Sequence, residues 1–363
     1  MLYIAYISIL FLLMQLINVV LNLIFKQRIK ANTSFGNEHI SVLIPARNEE
    51  ENIPFILSDL KKSNNENMEI IVFDDESSDN TAKVVRDFAT QDQRIRLIQS
   101  KGLPNGWLGK NYACYRLAQQ AKGRYFLFLD ADVRIDESCI TDAVEYLKRL
   151  DLKLLSVFPI QLQNTLGEKI AVPVMNYILL TLLPLIFVRT SPFKSHSAAN
   201  GQFMLFDAES YKKRQPHSLF KNSAVEDINI ARYFKKEKLK IACITGEKRI
   251  QCRMYKKYKE AVAGFSKNVL MFFGNTPLFA LLFWTFSTLG WIPVLLSLPQ
   301  YLMGYFAVLL LILLLYSSIG KQNIIANIVL YPLQMLFFTI ILGNAMLNKK
   351  NKRLKWKERN IYS

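Results

Sequence analysis

Sulfur and imidazole are scarce in this chain, with four cysteines and three histidines among 363 residues. Cys114, Cys139, Cys243 and Cys252 form no Cys-x-x-Cys pair and have no histidine at metal-ligand spacing. That excludes a zinc module and a disulfide scaffold, and it reads as reduced, structural cysteine. No Gly-x-Gly-x-x-Gly follows the first strand-like segment, and no P-loop signature occurs anywhere. Dehydrogenase-type dinucleotide binding and P-loop hydrolysis are therefore out. No basic-aromatic recognition module appears, so nucleic acid is not an expected partner. Acid is short as well: 29 Asp and Glu against 46 Lys and Arg leave a net charge of +17. Much of that excess flanks apolar segments, which suits attraction to lipid headgroups.

Those apolar segments lie at the two ends of a chain that is 51% hydrophobic. Leu2 to Phe25 carries no charge and is long enough to span a bilayer, giving an N-terminal transmembrane helix over 1–25. Lys26, Arg28 and Lys30 follow it, which predicts a cytoplasmic location for what comes next. A cleaved signal peptide would carry its basic residues in front instead. Residues 269–347 are again nearly all apolar, in segments near 270–299, 301–319 and 323–347. A basic tail over 348–363 should stay cytoplasmic, yet three crossings would export it. One segment is therefore expected to re-enter or lie in the interface, and Pro293 and Pro299 point to the first. The multi-pass chain would thus sit in the cell membrane. Inside the polar region, 170–188 reads as an interfacial helix or a buried core helix.

Between the ends, strand-like and helix-like segments alternate: 39–45, 68–74, 94–99 and 124–129 against 49–62, 79–89 and 110–122. This alternation predicts an α/β fold with a parallel, doubly wound sheet, which binds ligands at the carboxyl ends of its strands. Carboxylates stand at those ends. Tyr125–Leu129 runs straight into Asp130-Ala131-Asp132, two hard oxygen ligands suited to Mg²⁺ or Mn²⁺ held against a diphosphate. The alternative for such a pair is an Asp-rich turn. The Gly-punctuated loop 102–110 delivers Lys110 to a helix start, where it can meet phosphate or remain a solvated lysine. Glu226-Asp227 open an amphipathic helix, either as functional acids or as charges that complement the helix dipole.

Taken together, "SVLIPARNEE", "IIVFDDESSDNT", "GWLGKNYA", "FLDADV" and "VED" resemble a family 2 glycosyltransferase of GT-A fold over roughly residues 40–255. The resemblance implies a cytoplasmic catalytic domain over 37–265 and a nucleotide-sugar donor, with a UDP-sugar expected. It implies that Pro45, Ala46, Arg47 and Glu49 line the nucleoside pocket and that Asp75 reads the base. Lys110 would approach the diphosphate. Asp130 and Asp132 would hold the sugar-nucleotide and the metal. Asp227 would be the general base with Glu226 supporting it, and Gly201 and Gln202 would border the acceptor. "GWLGKNYACYRLAQQAKG", "ANGQFMLF", "CRMYKKYKEAVAGFSKN" and "WKERNIY" resemble a membrane-bound branch. That branch includes hopanoid-associated and 4,4'-diaponeurosporenoate glycosyltransferases, which implies an isoprenoid or other lipid acceptor. Processive synthases of the family carry Gln-x-x-Arg-Trp, and Gln251–Tyr255 reads Gln-Cys-Arg-Met-Tyr instead. A processive synthase subunit is thereby weakened. A non-catalytic nucleotide-sugar-binding membrane protein would have no use for Asp132 and Asp227 together.

The acid pair also bears on the acceptor. A carboxylic acid is ionised near neutrality and needs no base, whereas a hydroxyl does. An acid pair where a base would stand tilts the expectation toward a hydroxylated lipid.

Overall fold

The computed structural model describes residues 1–30, 38–63, 65–351, 355–356 and 359–360. The expected tail over 348–363 lies largely outside them, as does residue 37. The described chain forms two compact units. One comprises 27–160 and 188–253, and the other comprises 1–26, 161–187 and 254–362.

The first unit is built on an eight-stranded sheet: β1 (Ile40–Ala46), β2 (Met68–Asp74), β3 (Ile95–Gln99), β4 (Tyr125–Leu129), β5 (Val133–Ile135), β6 (Leu154–Gln161), β7 (Phe203–Asp207) and β8 (Ile241–Cys252). Its order is β3-β2-β1-β4-β7-β6-β8-β5. The first four strands are parallel, in the pattern the alternation predicts. Beyond β4 the sheet departs from a doubly wound one, because β7 pairs antiparallel with both β4 and β6, and β5 pairs antiparallel with β8. The strand–helix rhythm that signals parallel crossovers stops at Leu129, so the alternation carries information only up to that point.

Period-2 alternation sorts the strand residues between two buried faces. Ile40, Val42, Ile44, Ile70, Val72, Leu127, Leu129 and Leu205 share one core with the helices Ile53–Lys61 and Cys139–Arg149. Phe126, Phe128 and Phe206 point the other way and pack edge-on or tilted against Tyr211 at ring separations of 5.2–5.6 Å. Burying each of these rings contributes about 1.5–3 kcal/mol. Gly123 serves the entry to β4. The helix Gly109–Gln120 already ends before it, and a Cβ at 123 would lie 2.6 Å from the Ser41 amide nitrogen. Glycine lets the chain enter β4 against β1.

The second unit is helical. Leu2–Ile24 and Pro299–Gly320 are long and apolar enough to cross a membrane. The expected segment 270–299 is broken: Tyr258–Phe273 and Pro277–Leu289 meet at a bend of 100°. The sharp turn sits at Gly274 and Asn275, both left-handed (φ 64° and 63°), and not at Pro293 or Pro299. The segment 323–347 divides into Ile324–Val329 and Tyr331–Asn351. The apolar stretch 170–188 is likewise interrupted, as Pro173–Leu182 and Ile186–Thr190. Asn22 of the N-terminal helix donates to the Leu180 and Leu183 carbonyls at 3.0 and 2.9 Å and accepts the Leu185 amide at 2.7 Å. One side chain thereby satisfies the carbonyls that a helix end leaves open.

Candidate active site

The site is assembled from strand ends and helix starts of the first unit. β1 ends at Pro45-Ala46, and Ala46 lies in register with Asp74 at the end of β2. The Asp75 amide donates to the Ala46 carbonyl at 2.8 Å. Arg47 Nη1 donates to the Asp75 carbonyl at 2.5 Å and lies 3.8 Å from its carboxylate. Two residues just past these strands, Asn48 and Glu76, adopt left-handed backbone (φ 52° and 56°). Cross-loop hydrogen bonds hold them there: Asn48 N–H donates to Ser77 Oγ at 3.0 Å, and Ser78 N–H donates to Asn48 Oδ1 at 2.8 Å. The Glu49 amide donates to Thr81 Oγ1 at 2.8 Å. Pro45, Ala46, Arg47, Glu49 and Asp75 thus gather on the joined β1 and β2 loops.

Asp130 follows β4 directly and Asp132 precedes β5, so the pair occupies the turn between two buried strands. The Val133 amide closes that turn on the Asp130 carbonyl at 3.2 Å. Lys110, second residue of the helix Gly109–Gln120, places Nζ at 2.6 and 2.8 Å from the two Asp130 oxygens and 3.8 Å from Glu226 Oε1. Burial would lower the Lys110 pKa, but Asp130 and Glu226 outweigh it and push the pKa up, so the ammonium stays charged. Asp132 is different. Burial, with the negative charges of Asp130 and Glu49, pushes it up to about 7. Its Oδ1 is buried with no hydrogen-bond partner. A second cation close to that oxygen would restore its ionised form.

Glu226 and Asp227 start the helix Glu226–Lys236. Asp227 Oδ2 accepts the Gly201 amide at 3.0 Å, and Oδ1 accepts the Ile228 amide at 2.7 Å. Burial raises the Asp227 pKa against these two bonds. Burial also pushes Glu226 up to about 7, with Lys110 pulling back and Asp227 adding to the rise. Gly201 lies in the middle: a Cβ there would stand 3.2 Å from Lys110 Nζ, 3.5 Å from Glu226 Oε1 and 3.7 Å from Asp227 Cβ. Any side chain at 201 would crowd all three. Gln202 is buried and its side chain turns to Cys252, while its backbone remains at the turn.

The structure therefore brings Lys110, Asp130, Glu226, Asp227 and Gly201 together, with Asp132 two residues along from Asp130. Among the described residues no group of three or more His, Cys, Asp or Glu is arranged around one point for a metal ion. A two-carboxylate set does fit Mg²⁺ or Mn²⁺, which commonly bind through one or two carboxylates plus substrate phosphates and water. The orphaned Asp132 oxygen supports that fit.

Two contributors escaped the sequence reading. Asn111 is buried, and its Nδ2 donates to the carbonyls of Phe220, Lys221 and Ser223 at 2.8, 3.2 and 2.9 Å. It ties the helix that carries Lys110 to the loop that leads to Glu226. Its only signal was adjacency to Lys110. His217, with Nδ1 2.7 Å from the Tyr211 hydroxyl, is held at a pKa of about 3 by burial and by Lys110. It stays neutral behind the lysine. All four cysteines are free and buried.

With this geometry described, known proteins give context. The family model for Glycosyl transferase family 2 matches residues 41–213. A 4,4'-diaponeurosporenoate glycosyltransferase of Staphylococcus aureus (strain MRSA252) is 26% identical over 339 residues, 88% of each chain. One of Staphylococcus haemolyticus is 27% identical over 236 residues, 64% of this chain and 61% of that protein's length. A solved mannosyltransferase from Pyrobaculum calidifontis, in complex with GDP-Man and Mn²⁺, superposes with a TM-score of 0.59 at 14% identity. It covers 96% of this chain and 99% of its own, and it shows that the chain has the GT-A fold.

Proposed function

We propose that this enzyme, a glycosyltransferase whose family 2 domain has the GT-A fold, transfers a sugar from a nucleotide-sugar to a membrane lipid with inversion at the anomeric carbon. The observation that carries the reading is the convergence of Lys110, Asp130, Glu226 and Asp227 around Gly201. Fixed positive charge for a leaving group and a carboxylate for an attacking hydroxyl stand a few ångströms apart. The nucleoside of a UDP-sugar lies against Pro45, Ala46, Arg47, Glu49 and Asp75. Asp130 and Asp132 would hold a Mg²⁺ or Mn²⁺ ion, which would offset the diphosphate charge when bound. Lys110, already within reach of two carboxylates, turns to the same diphosphate as it departs.

On the opposite side Asp227 accepts the proton of the acceptor hydroxyl. The acceptor oxygen forms its bond to the anomeric carbon as the bond from that carbon to the diphosphate breaks, and the nucleoside diphosphate leaves. One displacement inverts the centre. Each Asp227 oxygen accepts a single backbone N–H and keeps a lone pair for the incoming proton. A second reading gives Glu226 that task, because its pKa of about 7 lies where a general base works best.

The acceptor is an isoprenoid or other lipid that presents a hydroxyl; the names of the staphylococcal relatives favour the isoprenoid class, while the diaponeurosporenoate they name is a carboxylate. Leu2–Ile24 and further C-terminal helices anchor the chain. The sheet unit faces the cytosol, where nucleotide-sugars are made. Three experiments test this. Membranes containing the chain should turn over nucleotide-sugar with Mg²⁺ or Mn²⁺ and stop when the ion is chelated. Lipid extracts of a producing strain and its deletion mutant should differ by the mass of a glycosylated lipid. Activity unchanged by chelation removes the metal role. Cleavage of residues 38–253 by protease added outside intact cells removes the cytosolic orientation.

A further inference from the structure

The turn Asn200–Gln202 reaches both halves of the site. The Gly201 amide donates to Asp227, and the Gln202 carbonyl accepts the Asp130 amide at 3.2 Å. The Gln202 side chain leads elsewhere. The residue is only 4% exposed, and Nε2 donates to Cys252 Sγ at 2.8 Å. Cys252 closes β8 opposite Val133 of β5, one residue along from Asp132. It is fully buried, and its thiol hydrogen-bonds to the Asp132 carboxylate. A thiol has one proton, so a sulfur that accepts from Gln202 directs that proton to Asp132. Donation therefore runs in one direction: Gln202 amide to Cys252, and Cys252 to one Asp132 oxygen. The other oxygen, Oδ1, is the buried one without a partner.

We propose that Gln202 and Cys252 are positioning residues that clamp one oxygen of Asp132 so that Oδ1 is presented to the divalent ion. The inference rests on the metal reading above. An aspartate's terminal torsion is broad and roughly two-fold, so an unclamped carboxylate can turn its oxygens away. Outer hydrogen bonds to a ligating carboxylate fix that orientation, and losing one commonly weakens metal binding 10–100-fold. The clamp is also neutral. Lys110 already sets one positive charge on Asp130, and a second cation beside Asp132 would repel the ion. An amide and a thiol orient the carboxylate without adding charge.

The test measures Mn²⁺ binding to the full-length chain in detergent, by loss of the free-ion electron paramagnetic resonance signal, with no donor present. Wild type should bind, and Asp132→Asn should not. Cys252→Ala and Gln202→Ala should each bind about 10–100-fold more weakly. Cys252→Ser, which keeps one acceptor and one proton, should recover most of the loss. Melting temperatures measured on the same samples identify variants that fail to fold, and Cys252→Ser, close to isosteric, then carries the comparison with Gln202→Ala. If Asp132→Asn binds Mn²⁺ as wild type does, the metal reading falls and takes the inference with it. If Asp132→Asn fails to bind while Cys252→Ala and Gln202→Ala match wild type, the metal reading stands and the clamp is refuted. If Cys252→Ser loses as much as Cys252→Ala, and wild type prefers Cd²⁺ to Mn²⁺, the sulfur is itself a ligand and the positioning role is wrong.

Discussion

Both units of this chain bury polar groups, and they do so in opposite ways. In the sheet unit the buried groups around Gly201 are charged, and burial pushes Asp132, Glu226 and Asp227 upward. One Asp132 oxygen has no partner at all. In the helical unit the buried groups are mostly neutral amides and hydroxyls, many of which bond to one another, and the buried Glu168 carboxylate is taken up by the Asn164 and Thr165 amides. Gln15 donates to Ser287 at 3.3 Å and accepts from Tyr177 at 3.2 Å, and the Tyr331 hydroxyl donates to the Ser287 carbonyl at 2.8 Å. The lesson concerns incompleteness. A neutral network joins helices, where polar contacts between apolar segments contribute about 0.6–1.7 kcal/mol, and its atoms without a partner, such as Thr288 Oγ1 and Gln322 Nε2, belong to uncharged groups. A charged cluster with unmet demand stays costly until a ligand arrives, which is the mark of a working site.

The strongest way to break this contrast is Asp132→Asn. If the cluster's demand is met by a cation and a diphosphate, the variant should lose turnover about 10²–10³-fold or more while still inserting in membranes. Assays of membranes at matched protein levels check it. Retained activity would leave the orphaned oxygen without a role.

Next in size is Asp227→Asn. With a hydroxyl acceptor the chemical step should slow by about 10²–10⁴-fold, and with a carboxylate acceptor far less, since that nucleophile arrives ionised. Both acceptor types must be assayed with wild type and variant. Equal, small losses would reduce Asp227 to a helix-start carboxylate and remove the argument for a hydroxylated lipid.

Glu226→Gln gives a smaller effect that reads the burial itself. The folded pKa, about 7, lies above the ordinary glutamate value of 4.5. The folded state therefore holds this proton more tightly than the unfolded chain does. The associated stability is fully present below about 4.5 and is lost as pH rises through about 7. Glu226→Gln should raise the melting temperature of the sheet unit above pH 7 and leave it nearly unchanged near pH 4. If Glu226 is the base, the rising limb of kcat/KM near pH 7 should also vanish. A pH-independent shift in melting would show that Glu226 is not buried against its charge.

What was legible in the sequence follows the range of each interaction. The β1, β2 and β4 ends could be read because each buried strand runs directly into the polar residues that it presents, within about ten positions. The parallel order of the first four strands was legible for the same reason. The antiparallel half was not, since β7 reaches β4 only after some seventy residues of mixed character. Cys252 was read as inert because its partners, Asp132 and Gln202, lie 120 and 50 positions away. Asn111 is an ordinary helix residue until the loop 220–223 folds onto it. The break at Gly274-Asn275 lost out to the more conspicuous Pro293 and Pro299, although left-handed backbone turns a chain more sharply than proline does near a helix start.

The smallest effect sharpens the contrast from the other side. Gln15→Leu removes the amide that joins Ser287 and Tyr177 but adds no charge and leaves no ionised group uncompensated. A leucine fills nearly the same volume, so the cavity term is small. The remaining cost is that of two interhelical hydrogen bonds, about 1 kcal/mol in total, offset in part because the separated helices also find partners in the membrane. The variant should therefore unfold slightly more easily in detergent while kcat and the Mn²⁺ dependence stay within about twofold of wild type, a difference of roughly 0.4 kcal/mol in the barrier. A loss comparable to that of Asp132→Asn would mean that the neutral network takes part in turnover, and the division between a working cluster and a packing one would fail.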